Sequence, residues 1–201
     1  MTDYFALLDE PRRPWLDTIA LKQHYLALSS TIHPDKVHTA GENEKDAAAR
    51  KFAELNVAYN CLGDPKSRIL HLLELEAGAK PRDIQQIPKD LADLFVEVAA
   101  LCNDVDKYLK EKPQNASPLL AVQSFEQSRG WVERLELLNN KLGVLRGQLE
   151  DGLKSLDSDW MKSDTAARKN CLPGLERLYR LFGYFNRWNN QIQERIVQLA
   201  L

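Results

Sequence analysis

Pro34 and the pair Asp64-Pro65 interrupt a sequence whose apolar residues otherwise recur at helical spacing. Proline fixes its own φ, carries no amide donor and disfavours helix at the residue before it, so the chain must turn at His33-Pro34. Upstream, from Thr18 to Ile32, the residues Leu21, Tyr25, Leu28 and Ile32 form one apolar stripe, with Asp17 placed to cap the helix. Lys22 and His24 point away from that stripe. Downstream, Val37 to Asn43 is a polar loop containing Gly41. From Lys45 to Leu62 a matching stripe follows in Ala48, Phe52, Leu55, Tyr59 and Leu62. Two such helices joined by a short loop pair antiparallel along their stripes. The prediction is a helical hairpin that carries the imidazole of His33 and the carboxylate of Asp35 at its tip. Gly63 reads as a C-cap, Asp64 as an N-cap and Pro65 as a first-turn proline. A further helix then carries Ile69, Leu72, Leu73 and Glu76 and ends at Gly78.

From Ala79 to Pro88 the pattern lapses into a linker bounded by Pro81 and Pro88. Helical spacing resumes at Lys89 with Leu91, Leu94, Phe95, Val98, Leu101, Cys102, Val105 and Tyr108, and stops by Pro113. Pro118, with Ser117 as N-cap, opens a long run of leucines that extends to Leu156. Gly130, Gly143, Gly147 and Gly152 weaken that run, each by about 1 kcal/mol relative to alanine. A last segment, Asp164 to Leu201, carries Leu175, Leu181, Phe182, Phe185, Trp188 and Ile192 on one face. Pro173 either kinks it or starts it. With no strand-like alternation anywhere, the fold class is all-α. The expected domains are residues 1–78, a linker at 79–88, and a three-helix bundle at 89–201.

Composition narrows the function. The chain has 201 residues and a net charge of −2, which asks for neither nucleic acid nor an anionic membrane surface. No apolar run approaches the roughly 20 residues that span a bilayer. Neither a secretory signal nor a presequence is visible at the N-terminus. The three cysteines, Cys61, Cys102 and Cys171, are scattered and odd in number. A disulfide framework is therefore not expected, and a reducing cytoplasm is. The four histidines, His24, His33, His38 and His71, lack the spacing of a zinc site. No nucleotide-binding glycine motif and no nucleophile motif is present. The expectation is no metal, no cofactor and no enzymatic activity.

Taken singly, His33 is a loop histidine, Pro34-Asp35 an ordinary turn pair, Lys22 a solvated charge, and Tyr25 and Tyr59 core residues. Taken together, Asp3-Tyr4-Phe5, Leu7-Leu8, Tyr25, His33-Pro34-Asp35-Lys36, the helix from Phe52 to Tyr59 and Leu62-Gly63-Asp64-Pro65 resemble a J domain over residues 3–78. J domains dock on 70-kDa heat-shock ATPases and stimulate their ATP hydrolysis. The resemblance implies that Lys22, His33, Pro34, Asp35 and Lys36 face the ATPase. There the Asp35 carboxylate could pair with an arginine, and the lysines could steer the encounter. Many J domains carry a denser basic second helix. Here Leu26, Ala27, Ser29 and Ser30 occupy positions where further cations often stand.

A J domain followed directly by a helical bundle resembles the iron–sulfur cluster co-chaperones of the HscB type, in which the bundle binds the cluster scaffold protein and delivers it to the ATPase. That resemblance places Leu91 and Phe95 at apolar positions of the client face on the first bundle helix. Ala92, Val96, Val98 and Ala99 stand where methionine, acidic and basic residues would be expected. The cysteine pairs of some eukaryotic relatives are missing, so the resemblance implies no metal. Three readings follow. One is a co-chaperone for iron–sulfur cluster assembly, the second a J-domain protein with a different client, and the third a helical scaffold in which the His33 loop is incidental.

Overall fold

The computed structural model describes residues 1–32, 41–81, 87–112, 118–164 and 166–200. Every element among them is helical, as the spacing predicts: α1 (Tyr4–Leu7), α2 (Thr18–Ile32), α3 (Glu42–Gly63), α4 (Pro65–Ala77), α5 (Ala92–Glu111), α6 (Pro118–Lys162) and α7 (Leu172–Ala200). Short 3-10 turns, Lys89–Leu91 and Ala167–Cys171, lead into α5 and α7.

The helix ends show why the breaks fall where they do. The Asp17 carboxylate accepts from the amides of Ile19 and Ala20, at 2.7 and 3.2 Å, and so caps α2. Glu42 and Glu44 fill the first turn of α3, where negative charge suits the helix dipole. That helix starts three residues earlier than its apolar stripe. Gly63 is its last helical residue and not a left-handed cap. The break is made by Asp64, held extended before Pro65, whose carboxylate accepts from the amide of Ser67 at 2.8 Å. Gly78, at φ 70°, is the left-handed residue that closes α4. Pro173 lies in the first turn of α7, so it starts that helix and does not kink it.

Packing divides the chain into two compact units: Met1–Arg82 with Glu150–Arg180, and Asp83–Leu149 with Leu181–Leu201. The division does not follow chain order, because α6 and α7 each contribute to both.

In the first unit, Phe5, Leu8, Leu21, Leu55, Leu62, Ile69, Leu72 and Leu73 form the core, joined by Leu153, Trp160 and Leu175 from the later segment. The stripes of α2 and α3 meet as expected. The rings of Tyr25 and Tyr59 stack at 4.3 Å, and the Tyr25 hydroxyl donates to Asn56. Gly152 and Gly174 sit where α6 and α7 approach within this unit. A Cβ on Gly174 would stand 3.2 Å from Leu156, so here glycine serves packing. Gly130, Gly143 and Gly147 face open space instead.

In the second unit, α5 and its parts of α6 and α7 bury Val98, Leu101, Cys102, Val105, Leu135, Leu138, Leu142, Trp188 and Ile192 as a three-helix core. Tyr108 of α5 donates to the Ser124 carbonyl at 2.8 Å and lies 3.0 Å from the Ser128 hydroxyl. Arg195 of α7 reaches α5 through Asp106, at 2.6 Å, and through the Cys102 carbonyl.

Candidate docking site

The N-terminal motif is structural. The Asp3 carboxylate caps α1 by accepting from Phe5 and Ala6, and it holds Arg12 at 2.7 Å. Burial pushes that carboxyl's pKa up, but Arg12 and the two amides outweigh it, so the group stays below the usual carboxylate range. Tyr4 donates its amide to Nε2 of His71 at 3.1 Å, and the two rings stack with centroids 4.4 Å apart. Burial lowers the His71 pKa against the pull of Asp3 and Glu74, which keeps Nε2 available as an acceptor.

The connection between α1 and α2 is pinned from two sides. Arg68, almost wholly buried, donates to the carbonyls of Pro14, at 2.8 Å, and Leu62. Burial pushes its guanidinium down to about 10, with Asp64 and Asp157 pulling the other way, so it remains charged at neutral pH. From α6, the buried carboxylate of Asp157 takes both prongs of Arg13 and the amide of Trp15. Trp160 donates its indole N–H to the Arg12 carbonyl at 2.9 Å. Residues 12–15 are thus fixed immediately before the Asp17 cap, which sets the base of the α2–α3 hairpin.

The expected site residues are distributed unevenly. His33, Pro34, Asp35 and Lys36 lie outside the described residues. Lys22 is exposed on α2, away from the stripe that packs on α3. That helix ends at Ile32, the residue before the motif. Leu91 and Phe95 belong to the second unit, and Lys22 belongs to the first. Leu91 is buried, with only 6% of its surface exposed, so core packing takes it out of reach of a partner. Phe95 is 39% exposed, its ring tilted against Trp188 at 6.3 Å. Val96 beside it is 63% exposed.

Arg13, Arg68, His71, Asp157 and Trp160 carry the framework under the hairpin, and of these the sequence singles out only His71, as a histidine without zinc-site spacing. Two of their partners are 144 and 148 residues away in the chain, and no periodicity marks such pairs. Only the polar residues interrupting the apolar faces of α4 and α6 hinted at them. Among the described residues no His, Cys, Asp and Glu cluster is placed to hold a metal ion. Burial and the nearby Asp64 push the Cys61 thiol up to about 11, so it is protonated at neutral pH and a poor nucleophile.

This geometry can be set beside known proteins. The family model for the DnaJ domain matches residues 3–71. The co-chaperone protein HscB homolog of Pseudoalteromonas atlantica is 30% identical over 181 residues, 90% of each chain. This chain belongs to the HscB co-chaperone family. The human iron-sulfur cluster co-chaperone protein HscB is 27% identical over 154 residues, covering 69% of this chain and 65% of that one. The crystal structure of human co-chaperone protein HscB has a TM-score of 0.60 at 20% identity, covering 96% of this chain and 81% of the other. The chaperone HscB from Vibrio cholerae has a TM-score of 0.50 at 23% identity over 94% and 99% of the two chains. Those two structures establish a shared all-α fold.

Proposed function

We propose that this HscB-family chain stimulates ATP hydrolysis by a 70-kDa heat-shock ATPase and delivers to it the iron–sulfur cluster scaffold protein. His33, Pro34, Asp35, Lys36 and Lys22 form its ATPase-docking residues. The J domain is residues 1–78, joined through 79–88 to a client-binding bundle at 89–201, in the cytoplasm. Catalysis belongs to the partner. The chain needs no cofactor or metal of its own, and none of its surfaces is meant for nucleic acid or membrane. Among the described residues no helix is long and apolar enough to cross a membrane.

The observation that carries this reading is the Pseudoalteromonas co-chaperone match. At 90% of the chain it reaches well past the DnaJ segment and takes in the bundle helices. The human relative is an iron–sulfur cluster co-chaperone protein, which supports the scaffold protein as client. In mechanism, the bundle holds the client while Asp35 engages the ATPase, so hydrolysis happens when the client is at hand. A conservative Asp35→Asn change removes one charge from the motif and should abolish stimulation of single-turnover ATP hydrolysis while leaving the helical circular dichroism unchanged. Equal stimulation by variant and parent would refute the proposal.

The α5 surface favours one further reading, in which the client differs. Phe95 is partly exposed with its ring tilted against Trp188, and Leu91 is buried, but the neighbours Ala92, Val96 and Ala99 supply no charge. A pull-down with the scaffold protein separates the two. Binding that Phe95→Ala weakens supports the scaffold, and no binding at about 50 μM supports another client.

A further inference from the structure

Among the 15 residues of α2, Leu21 alone is buried, whereas α4 buries five of its 13. Packing therefore holds α2 lightly, and a helix of that length is marginal in water on its own. The chain that leads into it supplies the missing constraint. Arg68 donates to the carbonyl of Pro14, ahead of α2, and to that of Leu62, in the last turn of α3. One side chain thus clasps both legs of the hairpin. The second constraint is Asp157 of α6, 4% exposed, which lies outside the DnaJ segment of residues 3–71 yet within the first unit. Its carboxylate accepts from Nε of Arg13 at 3.0 Å, from a second Arg13 nitrogen, and from the amide of Trp15 at 3.1 Å. A guanidinium held by two bonds is fixed in direction as well as distance. Two residues beyond Trp15, Asp17 caps α2.

We propose that Asp157 is a positioning residue for ATPase docking: through Arg13 and the Trp15 amide it fixes the start of α2, and with it the direction in which that helix carries Lys22. The inference rests on the function proposed above. A partner that grips α2 in one direction loses affinity when the helix must be ordered during binding, because the ordering offsets part of the contact energy. The buried carboxylate does that ordering in advance. Asp157 itself is out of a partner's reach. It should therefore govern how much co-chaperone is needed and leave the stimulated rate, which belongs to Asp35, as it is.

The test uses full-length variants and reads two quantities from single-turnover ATP hydrolysis: the co-chaperone concentration for half-maximal stimulation and the plateau rate. Asp157→Asn keeps the shape of the side chain and removes its charge. It should raise the half-maximal concentration by more than about threefold, with plateau and circular dichroism unchanged. Arg13→Gln should do the same. The double variant should be no worse than either single, because both remove one interaction. Leu73→Val trims the core of the same unit more than a helical turn beyond Arg68. It should lower the urea midpoint yet shift the half-maximal concentration by less than about threefold. A smaller shift than that for Asp157→Asn, or a fall in its plateau, would overturn the assignment. So would a Leu73→Val protein that weakens as much, or single effects that multiply in the double variant. If Asp157→Asn loses its helical circular dichroism, Arg13→Gln, whose side chain is 28% exposed, decides by the same limit. If Asp35→Asn abolishes stimulation while Asp157→Asn stays under that limit, only the positioning role fails. A parent that gives no stimulation removes the function and the role together.

Discussion

In the first unit, polar side chains are taken inside. Arg68, His71 and Asp157 are buried, each with named partners, and Trp160 is fully enclosed while its N–H is bonded to a carbonyl. In the second unit, the core is mostly aliphatic, with Cys102, Phe182, Phe185 and Trp188, and Ser128 beside Tyr108 is the polar side chain buried there among the described residues. Its polar links sit at the margin, as in Lys141–Glu97, or are only partly buried, as in Arg195–Asp106. The difference follows from what each has to hold. Three helices with continuous stripes need only their apolar faces to find one another. The segment before α2 has no helix of its own between Leu8 and Asp17, so its backbone carbonyls and amides must be satisfied by side chains. Arg68, Asp157 and Trp160 supply those bonds. A segment fixed in this way gives the α2–α3 hairpin a defined base.

If that contrast is sound, substitutions in the two units should differ in size. The largest effect is expected for Trp160→Ala, which empties a fully buried site and frees the Arg12 carbonyl. It should cost about 3–5 kcal/mol, read from urea unfolding, with faster amide exchange concentrated in α2 and α3. A loss shared equally with α5 would argue against the contrast. Arg68→Lys comes next. An ammonium cannot span the carbonyls of Pro14 and Leu62, so about 2–3 kcal/mol should be lost although the charge is kept.

A smaller, conditional effect belongs to His71. Its pKa is lowered in the folded protein, so the unfolded chain binds the proton more readily. Stability is therefore full above the ordinary value of about 6.5 and declines as pH falls through the lowered one. The groups facing it are Asp3 and Glu74, which favour the proton, and Arg12, which opposes it. The urea midpoint should fall as the pH drops below about 6.5, and His71→Gln should flatten that decline. A parallel decline in the variant would place the effect elsewhere.

The second unit should respond more mildly. Tyr108→Phe removes the hydroxyl shared with Ser124 and Ser128 and should cost about 1 kcal/mol. Lys141→Ala breaks an ion pair whose side chains are 58% and 45% exposed, and it should change stability by less than about 0.5 kcal/mol. A loss above about 2 kcal/mol for Lys141→Ala would mean that this unit, too, depends on its polar links.

The legible part of the molecule was the part with local causes. Asp17 and Asp64 act within three residues of themselves, and Pro65 and Gly78 act on their own backbone, so α2 and α4 could be placed almost to the residue, whereas the spacing begins the last segment at Asp164 and leaves Pro173 open between a kink and a start. Gly63 was misjudged because Asp64-Pro65 breaks the helix one residue later without needing a left-handed glycine. The site was legible only as a motif. Lys22 could be assigned to the outward face of α2 from its angle relative to Leu21. That Asp157 reaches Arg13 and Trp15 could not be known until the fold was seen.

The sequence by itself determined the helices, their breaks and the amphipathic faces, because these depend on interactions a few residues long and on a period that repeats along the chain. The tertiary structure decided which residues of the later helices would serve the first unit. It also made Asp157, Trp160 and Arg68 the partners of a segment that has no regular structure. The physical reason is that burial is collective: a polar group goes inside only where distant parts of the chain together supply its bonds, and no local pattern records that meeting.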